Sequence, residues 1–451
     1  MKESTDTICA VATPAGTGGL GIIRVSGPDV PRIAQTVTGS LPAPRHAALA
    51  DFRDQSGEII DSGIVLYFPA PRSFTGEHVL ELQGHGGTFV LQQLVQRVLD
   101  LGARAARPGE FSERAFLNDK IDLVQAEAIA DLIDSGSAAA ARAAQRSLQG
   151  VFSQQVHTLQ EALTALRVFV EAAIDFPDEE IDFLAESDIS ERVQEAERHV
   201  AELLEGARQG RLLRDGIVLA IIGRPNAGKS SLLNALSGED SAIVTEIPGT
   251  TRDVLREQID IEGIPVHVAD TAGIRETTDR VEAEGIRRAR LALESADIVL
   301  LIRDVSEHPE PEEALSSEVP AGTKTIFVAN KSDRLPPQRL RALVEEDGSE
   351  QVWISARTGQ GVQELRTRIF TAVGAAEQVD GSFSARQRHV EALKRTAQHL
   401  AAGRAAMDNQ QAGELLAEDL CQAQKALGEI TGEVLPDDLL GEIFSSFCIG
   451  K

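Results

Sequence analysis

No apolar run in the sequence approaches the ~20 residues that a membrane-spanning helix requires, so no membrane partner is expected. The opening stretch, MKESTDTICAVATP, lacks the apolar core of a secretory signal. Three cysteines, Cys9, Cys421 and Cys448, are too few and too scattered for a disulfide framework. Together these absences make the cytoplasm the expected compartment. Base is also scarce: 44 Lys and Arg stand against 70 Asp and Glu, a net charge of −26. That balance argues against a generic nucleic-acid coat, because phosphate binding leans on cationic side chains. The acid is concentrated, with twelve Asp or Glu and two Arg between residues 175 and 205. By contrast Arg386, Arg388, Lys394, Arg395 and Arg404 share a stretch with one acid, Glu391. That stretch reads either as a solvated helix face or, if RNA docks on the chain, as one candidate surface.

What is present falls into blocks. A chain of 451 residues allows about three domains. Residues 1–118 read as short strands and turns, with TICAVA, GIIRVSG, GIVLYFPAP and HVLELQG as apolar or alternating runs cut by Gly and Pro. From about residue 120 the period changes. Leu148, Phe152, Val156, Leu159, Leu163, Leu166 and Val170 recur at steps of three and four, the pattern of one long amphipathic helix, and helical pattern continues to about residue 210. From Asp215 short apolar runs return (217–222, 264–270, 296–302, 324–330, 352–355), several of them separated by helical stretches. Such alternation is expected of an α/β module with a mostly parallel sheet. Beyond 375, Leu416, Leu420, Ala423, Leu427 and Ile430 step by three and four again. The expected fold is therefore multidomain α+β. An N-terminal α/β domain spans 1–118, a helical domain is built from 119–213 and 376–451, and an α/β module at 214–375 is inserted into it.

The chemistry is concentrated in the module. IVLAIIGRPNAGKSSLLNAL contains Gly223-x-x-x-x-Gly228-Lys229-Ser230 after a buried strand and before a helix, the context that identifies a phosphate-binding loop. The amides from Asn226 and Ala227 through Gly228 to Ser231 are placed to surround phosphate oxygens. Lys229 would reach the β- and γ-phosphates of a nucleotide, and Ser230 would offer a hydroxyl to Mg²⁺. DTAG ends a strand: Asp270 can hold the Mg²⁺ shell, and the Gly273 amide, after Thr271 and Ala272, can meet the γ-phosphate. NKSD ends another, and Asp333 can accept from the two guanine nitrogens that adenine does not match, with Asn330 and Lys331 framing the base. SAR (Ser355, Ala356, Arg357) can present a backbone amide to the guanine oxygen. Each short string is weak alone; in this order, at successive strand ends, they specify a guanine nucleotide. TEIPGTTRD, between the first two, holds Thr251 and Thr250, candidates to close over Mg²⁺ and let go after hydrolysis. Ile274 follows Gly273 where many small GTPases place a water-orienting Gln, so another device is needed. The Asn226 side-chain oxygen can hold a monovalent cation beside the phosphates, neutralising charge as an arginine finger would. One motif misleads: GTGGLG (16–21) matches a dinucleotide fingerprint but leads into IIRVSG, a strand rather than the helix such a site requires.

The chain as a whole resembles the MnmE (TrmE) family of tRNA-modification GTPases. The resemblance rests on GGLGIIRVSG, SFTGEHVLELQGHGG, RPGEFSERAFLNDK, AEAIADLID, EAAIDFPDEEIDFL, GRPNAGKSSLLNAL, GTTRDVLRE, DTAG and the terminal FSSFCIGK. It implies a Ras-like P-loop GTPase domain inserted into the helical domain, and GTP hydrolysis stimulated by K⁺ across a homodimer. The cation would be held by Asn226 and the loop around Thr245, Ile247 and Thr250, with Glu246, Pro248 and Gly249 in the same nucleotide-binding loop. Mg²⁺ would fall to Ser230 and Thr251, and Glu282 would assist the water, beside Lys229, Asn226 and Thr251, as a catalytic residue. Pro248 departs from the Ala common in the family and removes an amide donor. The resemblance further implies an FAD-dependent partner, MnmG (GidA). Together the two install a carboxymethylaminomethyl or aminomethyl group on the wobble uridine of certain tRNAs. A formyl- or methylene-tetrahydrofolate would supply the one-carbon unit. The N-terminal domain would bind that folate through Arg24, Glu81, Lys120 and Lys451, and would also form the dimer. The alternative is an Era-like ribosome-assembly GTPase without modification chemistry. The tail LLGEIFSSFCIGK is apolar nearly to its end and reads as docked rather than frayed, with Cys448 close to Lys451.

Overall fold

The computed structural model describes residues 6–175, 188–237, 256–269, 293, 296–306, 319–320, 322–347, 350–374, 383–410, 412–434, 437–445, 447 and 450. In chain order the strands are β1 (Ile8–Val11), β2 (Gly18–Ser26), β3 (Ala48–Arg53), β4 (Ile59–Phe68), β5 (Val79–Gly86), β6 (Arg104–Ala105), β7 (Ile217–Ile222), β8 (Arg256–Ile261), β9 (Ile264–Ala269), β10 (Ile298–Asp304), β11 (Lys324–Asn330) and β12 (Gln351–Trp353). The helices used below are α1 (Val30–Thr38), α2 (Thr88–Asp100), α3 (Glu110–Leu117), α4 (Leu123–Ile133), α5 (Ala138–Leu148), α6 (Val151–Asp175), α7 (Asp188–Asp215), α8 (Lys229–Ser237), α9 (Pro337–Asp347), α10 (Val362–Ala372), α11 (Gln387–Gln410), α12 (Gly413–Thr431) and α13 (Asp437–Ser445). They fall into two compact units. One draws on residues 1–130, 148–193 and 398–451, the other on 131–147 and 194–397.

The first unit is built on a sheet of order β3-β4-β5-β2-β1-β6, antiparallel except for the β1–β6 pair. Its strands alternate. In β5, Leu80 and Leu82 are buried while the alternate residues Glu81 and Gln83 are half-buried. On the apolar face lie α1 and α2, whose Val30, Ile33, Val37 and Leu91, Leu94, Val98 stripes meet Ile23, Val25, Leu80 and Leu82. The strand-and-turn reading of residues 1–118 missed these helices. They are short, and they sit between stronger strand signals. The helical residues beyond 120 also differ from expectation. The run from Leu148 to Val170 falls on two helices rather than one, because Gly150 takes a left-handed φ of 85° between α5 and α6, so Leu148 ends α5 while Phe152 through Val170 run along α6. Within this unit α6 pairs with α12: Gln424 Nε2 donates to Thr164 Oγ1 at 2.6 Å, and Leu416, Leu420, Leu427 and Ile430 are buried.

The other face of this sheet receives α3. Its Phe111 packs with Ile8, Ala10 and Ala106. An ionic network holds α3 there. The buried Arg114 donates to both carboxylate oxygens of Glu77 at 3.0 Å and to Asp6 Oδ1 at 2.8 Å, and Ser26 Oγ donates to Glu77 at 2.7 Å. Glu110 accepts from Arg104 and from the Arg107 amide. Burial opposes its ionisation, but the Arg104 bonds outweigh that and hold the carboxyl below its ordinary value.

The second unit has a sheet of order β12-β11-β10-β7-β9-β8, parallel except for the β8–β9 hairpin at its edge. The strand runs expected at 217–222 and 324–330 form with those bounds; β8 is an addition that the apolar pattern does not reveal. Both faces are covered, by Leu219, Ile221, Leu300, Ile302 and Val328 on one side and Ala220, Ile222, Val299 and Leu301 on the other. Two-sided burial is why these strands read as continuous apolar runs.

At the base of this unit the Asp131 carboxylate joins three segments far apart in sequence. It accepts from Arg214 Nε at 2.7 Å, Arg386 Nη2 at 2.8 Å and Ser384 Oγ at 2.6 Å. Arg214 leads directly into β7, and Ser384 and Arg386 precede α11. The two stems of the α/β module are thus closed on one acid. Burial opposes the charge of Arg214, but Asp131 and Asp215 outweigh it and raise its pKa. Asp131→Ala should cost about 3 kcal/mol, the low end for a broken buried pair because the Arg214 side chain is 33% exposed. Urea unfolding followed by circular dichroism checks this; an unchanged midpoint would refute the clamp.

Candidate functional site

After β7 the chain turns at Gly223 and enters α8 at Lys229. The turn needs two left-handed residues, Asn226 at φ 66° and Gly228 at φ 100°. Asn is among the few side chains that tolerate this region. Gly228 has a second reason: a Cβ there would lie 2.3 Å from Asn330 Nδ2. Lys229 curls back over the loop, donating to Gly223 O at 2.7 Å and Arg224 O at 3.1 Å. Ala227 is buried, whereas Asn226, Ser230 and Ser231 are exposed. The Ser230 hydroxyl therefore sits at the first turn of α8, where amides and dipole favour an anion.

Asn330, the last residue of β11, is 1% exposed. Its Nδ2 donates to Ala227 O at 2.8 Å and its Oδ1 accepts from the Ala356 amide at 3.1 Å. One side chain thus ties the phosphate loop to the loop after β12. Sequence reasoning assigned Asn330 to the base and a backbone amide of the 355–357 loop to the guanine oxygen; here the Asn330 side chain and the Ala356 amide bond each other. Asp333 is exposed, and its Oδ1 accepts from Ser355 Oγ at 2.7 Å, which orients the carboxylate. Lys331 has a left-handed φ of 66°, and its ammonium bonds Asp304 at the end of β10. Asp304 also accepts from Ser306 N at 3.0 Å and Ser306 Oγ at 2.6 Å. Its burial opposes ionisation, but the bonds from Lys331 and Ser306 prevail and hold its pKa down. Sequence reasoning missed Asp304. The signal was an acid closing the apolar run IVLLIRD.

Thr245, Glu246, Ile247, Pro248, Gly249, Thr250, Thr251, Asp270, Thr271, Ala272, Gly273 and Glu282 lie outside the described residues. Among the described residues no group of three or more His, Cys, Asp or Glu is arranged to hold a metal ion. The donors here that suit cations are the exposed Ser230 hydroxyl and Asn226 amide, hard oxygens appropriate to Mg²⁺ and K⁺.

A second constellation lies in the first unit. Arg24 on β2 and Glu81 on β5 are register partners. Arg24 donates through Nη2 at 3.0 Å and Nε at 3.2 Å to Glu81 Oε1, while Gln83 Nε2 donates to Glu81 Oε2 at 3.2 Å. The guanidinium lies 5.8 Å from the Phe111 ring centroid. Its Nη1 donates to Gly450 O at 3.3 Å, so the tail docks on this sheet as its apolar sequence suggested. Gly450 takes φ 95°, and a Cβ on it would come within 2.4 Å of Val11 O. Phe444 and Phe447 anchor the approach against Leu123 and Ala126. Lys120 lies beside Gly76: a Cβ on that glycine would be 3.3 Å from Lys120 Cδ. Lys451 and Cys448 lie outside the described residues. Gly450 and Phe111 were not foreseen as parts of this cluster.

Comparison with known proteins covers the same ground. The family described as "GTP-binding protein TrmE N-terminus" matches residues 7–120, and "MnmE helical domain" matches residues 123–448. The chain is 55% identical to the tRNA modification GTPase MnmE of Pseudomonas syringae pv. tomato, over all of both chains. It is 53% identical to the MnmE of Hydrogenovibrio crunogenus, over all of this chain and 99% of that one. A solved structure of Aquifex aeolicus Era bound to GDP.AlF4- is 29% identical and matches 41% of this chain and 66% of that one, at a TM-score of 0.29.

Proposed function

The chain belongs to the MnmE (TrmE) family and is a tRNA modification GTPase, and from that premise we propose that its GTP hydrolysis is potassium-stimulated and serves a folate-dependent modification of the wobble uridine. In this reading Lys229 and the amides of residues 226–231 hold the GTP phosphates, Asp333 reads guanine, and Ser230 with Thr251 holds Mg²⁺. Asn226, with Thr245, Ile247 and Thr250, holds K⁺ beside them, and Glu282 assists the attacking water. The exposed left-handed Asn226 supports the cation assignment: it lies in the phosphate loop directly before the buried Ala227, with its side chain open to a ligand.

The observation that carries the folate part is the Arg24–Glu81 pair with Gly450 bonded to it. A carboxylate fixed by two donors and still 15% exposed can take the amino and ring N–H groups of a pterin. The tail bonded to Arg24 would bring Lys451 to the same ligand, whose acidic end suits it. When bound, the formyl- or methylene-tetrahydrofolate supplies the one-carbon unit; the residues of this chain orient it. Homodimerisation through the N-terminal domain, assembly with an FAD-dependent MnmG partner, installation of a carboxymethylaminomethyl or aminomethyl group and action in the cytoplasm complete the proposal. The functional domains are taken as 1–118, 119–213, 214–375 and 376–451.

In a strain lacking this chain, mass spectrometry of tRNA nucleosides should find the modified wobble uridine absent, restored by the parent chain and not by Arg24→Ala, although purified Arg24→Ala protein still hydrolyses GTP. Unchanged wobble uridines in the deletion strain would overturn the reading. GTP turnover should be on the order of tenfold faster in KCl than in NaCl, and Asn226→Ala should abolish the difference; equal rates in both salts for the parent chain would remove the cation from the mechanism.

A further inference from the structure

We propose that Asp304 is a positioning residue for the guanine nucleotide, acting through Lys331: by fixing the ammonium it stretches the lysine stem into one wall of the base site. The inference rests on the guanine-binding reading of residues 330–333 and adds a residue to it. Asp304 ends β10 directly opposite Asn330, its register partner on β11. Its side chain is 6% exposed and that of Lys331 21%. A carboxylate so enclosed is costly unless paired, and its bonds are to Lys331 Nζ, Ser306 N and Ser306 Oγ. The lysine in turn has a backbone that is uncommon for a residue with a side chain, φ 66°. It is locked from below as well: the Ser332 amide donates to Ile354 O at 3.1 Å, and the Arg334 amide to Lys331 O at 3.0 Å.

Backbone and ammonium are therefore fixed at both ends of the same side chain. A lysine normally spends many rotamers in solvent, and ordering it on ligand binding weakens affinity. Here the ordering precedes the nucleotide. Between the two fixed ends lies an apolar stem, of the kind that lies along flat apolar surfaces with its charge directed elsewhere. The stem starts two residues before Asp333, the carboxylate that reads guanine, so a base bonded to Asp333 has this stem as its neighbour. Charge matters less than shape in this role: Asp304 neutralises the ammonium, which leaves the stem as a contact surface rather than a competitor for phosphate.

The test is a double-mutant cycle on the full chain, with dissociation constants for GDP read by a fluorescent analogue. Asp304→Asn should weaken GDP binding about tenfold, the loss expected of a charge-assisted bond. The KM for GTP should rise in step while kcat moves little. Lys331→Ala should weaken GDP to a similar degree, and Asp304→Asn added to it should change affinity by less than about twofold. Preference for GDP over IDP, set by Asp333, should be unchanged in Asp304→Asn. Asp304→Glu, which keeps the charge, should recover part of the lost affinity. Parental affinity in Asp304→Asn, or an equal penalty with and without Lys331, would overturn the proposal. Loss of GDP-over-IDP preference together with affinity would also overturn it, by assigning Asp304 to general integrity of the loop. Failure of the parent chain to prefer GDP over ADP would instead contradict the guanine reading itself.

Discussion

The nucleotide site depends on one buried amide. Asn330 donates to the phosphate loop at Ala227 O and accepts from the Ala356 amide after β12, so one side chain spans both loops. A buried side chain with both ends bonded has a single low-energy placement, and losing either bond leaves a polar group without water. The consequences run outward. Gly228 must be glycine because Asn330 Nδ2 occupies the space of its Cβ. Asp333, three residues on, inherits its position from the same strand end, as does Lys331 with its tether to Asp304. In the proposed site, the phosphate loop and the loop after β11 are thereby tied to each other before any ligand arrives.

The first unit repeats this economy with charge. Strands β2 and β5 are antiparallel neighbours in its sheet, so Arg24 meets Glu81 across 57 positions. The buried Arg114–Glu77–Asp6 network holds α3 against the sheet, and α3 supplies Phe111 beneath the Arg24 guanidinium. The tail then completes the arrangement from the far end of the chain, through Gly450. An ion pair this close to the surface contributes little to stability on its own. In the proposed folate site its value would lie in holding one carboxylate in a fixed geometry.

How much of this could be read from the sequence differs by kind of signal. The phosphate loop, NKSD and the strands around them were legible because buried parallel strands are apolar runs and each motif marks a strand end. Helices α1 and α2 were not, because these nine- and thirteen-residue helices bury only four and three apolar residues, amid stronger alternation. The break at Gly150 was hidden within a periodicity that continues across it. Asn330 was legible as part of a motif, but its two bonds were not, since both partners lie in other loops. Asp304 was overlooked because a single acid after an apolar run has no spacing to mark it. Edge strand β8 pairs on one side and therefore has no continuous apolar run. In each case the missing information is tertiary: which distant backbone a side chain meets.

The central claim is that Asn330 couples the two loops, and hydrogen–deuterium exchange on Asn330→Ala tests it most directly. Without nucleotide, amides in residues 223–228 and in 355–359 should both lose protection relative to the parent chain, while the core of β10 keeps its own. Increased exchange confined to one loop, or to the neighbourhood of residue 330 alone, would contradict the coupling.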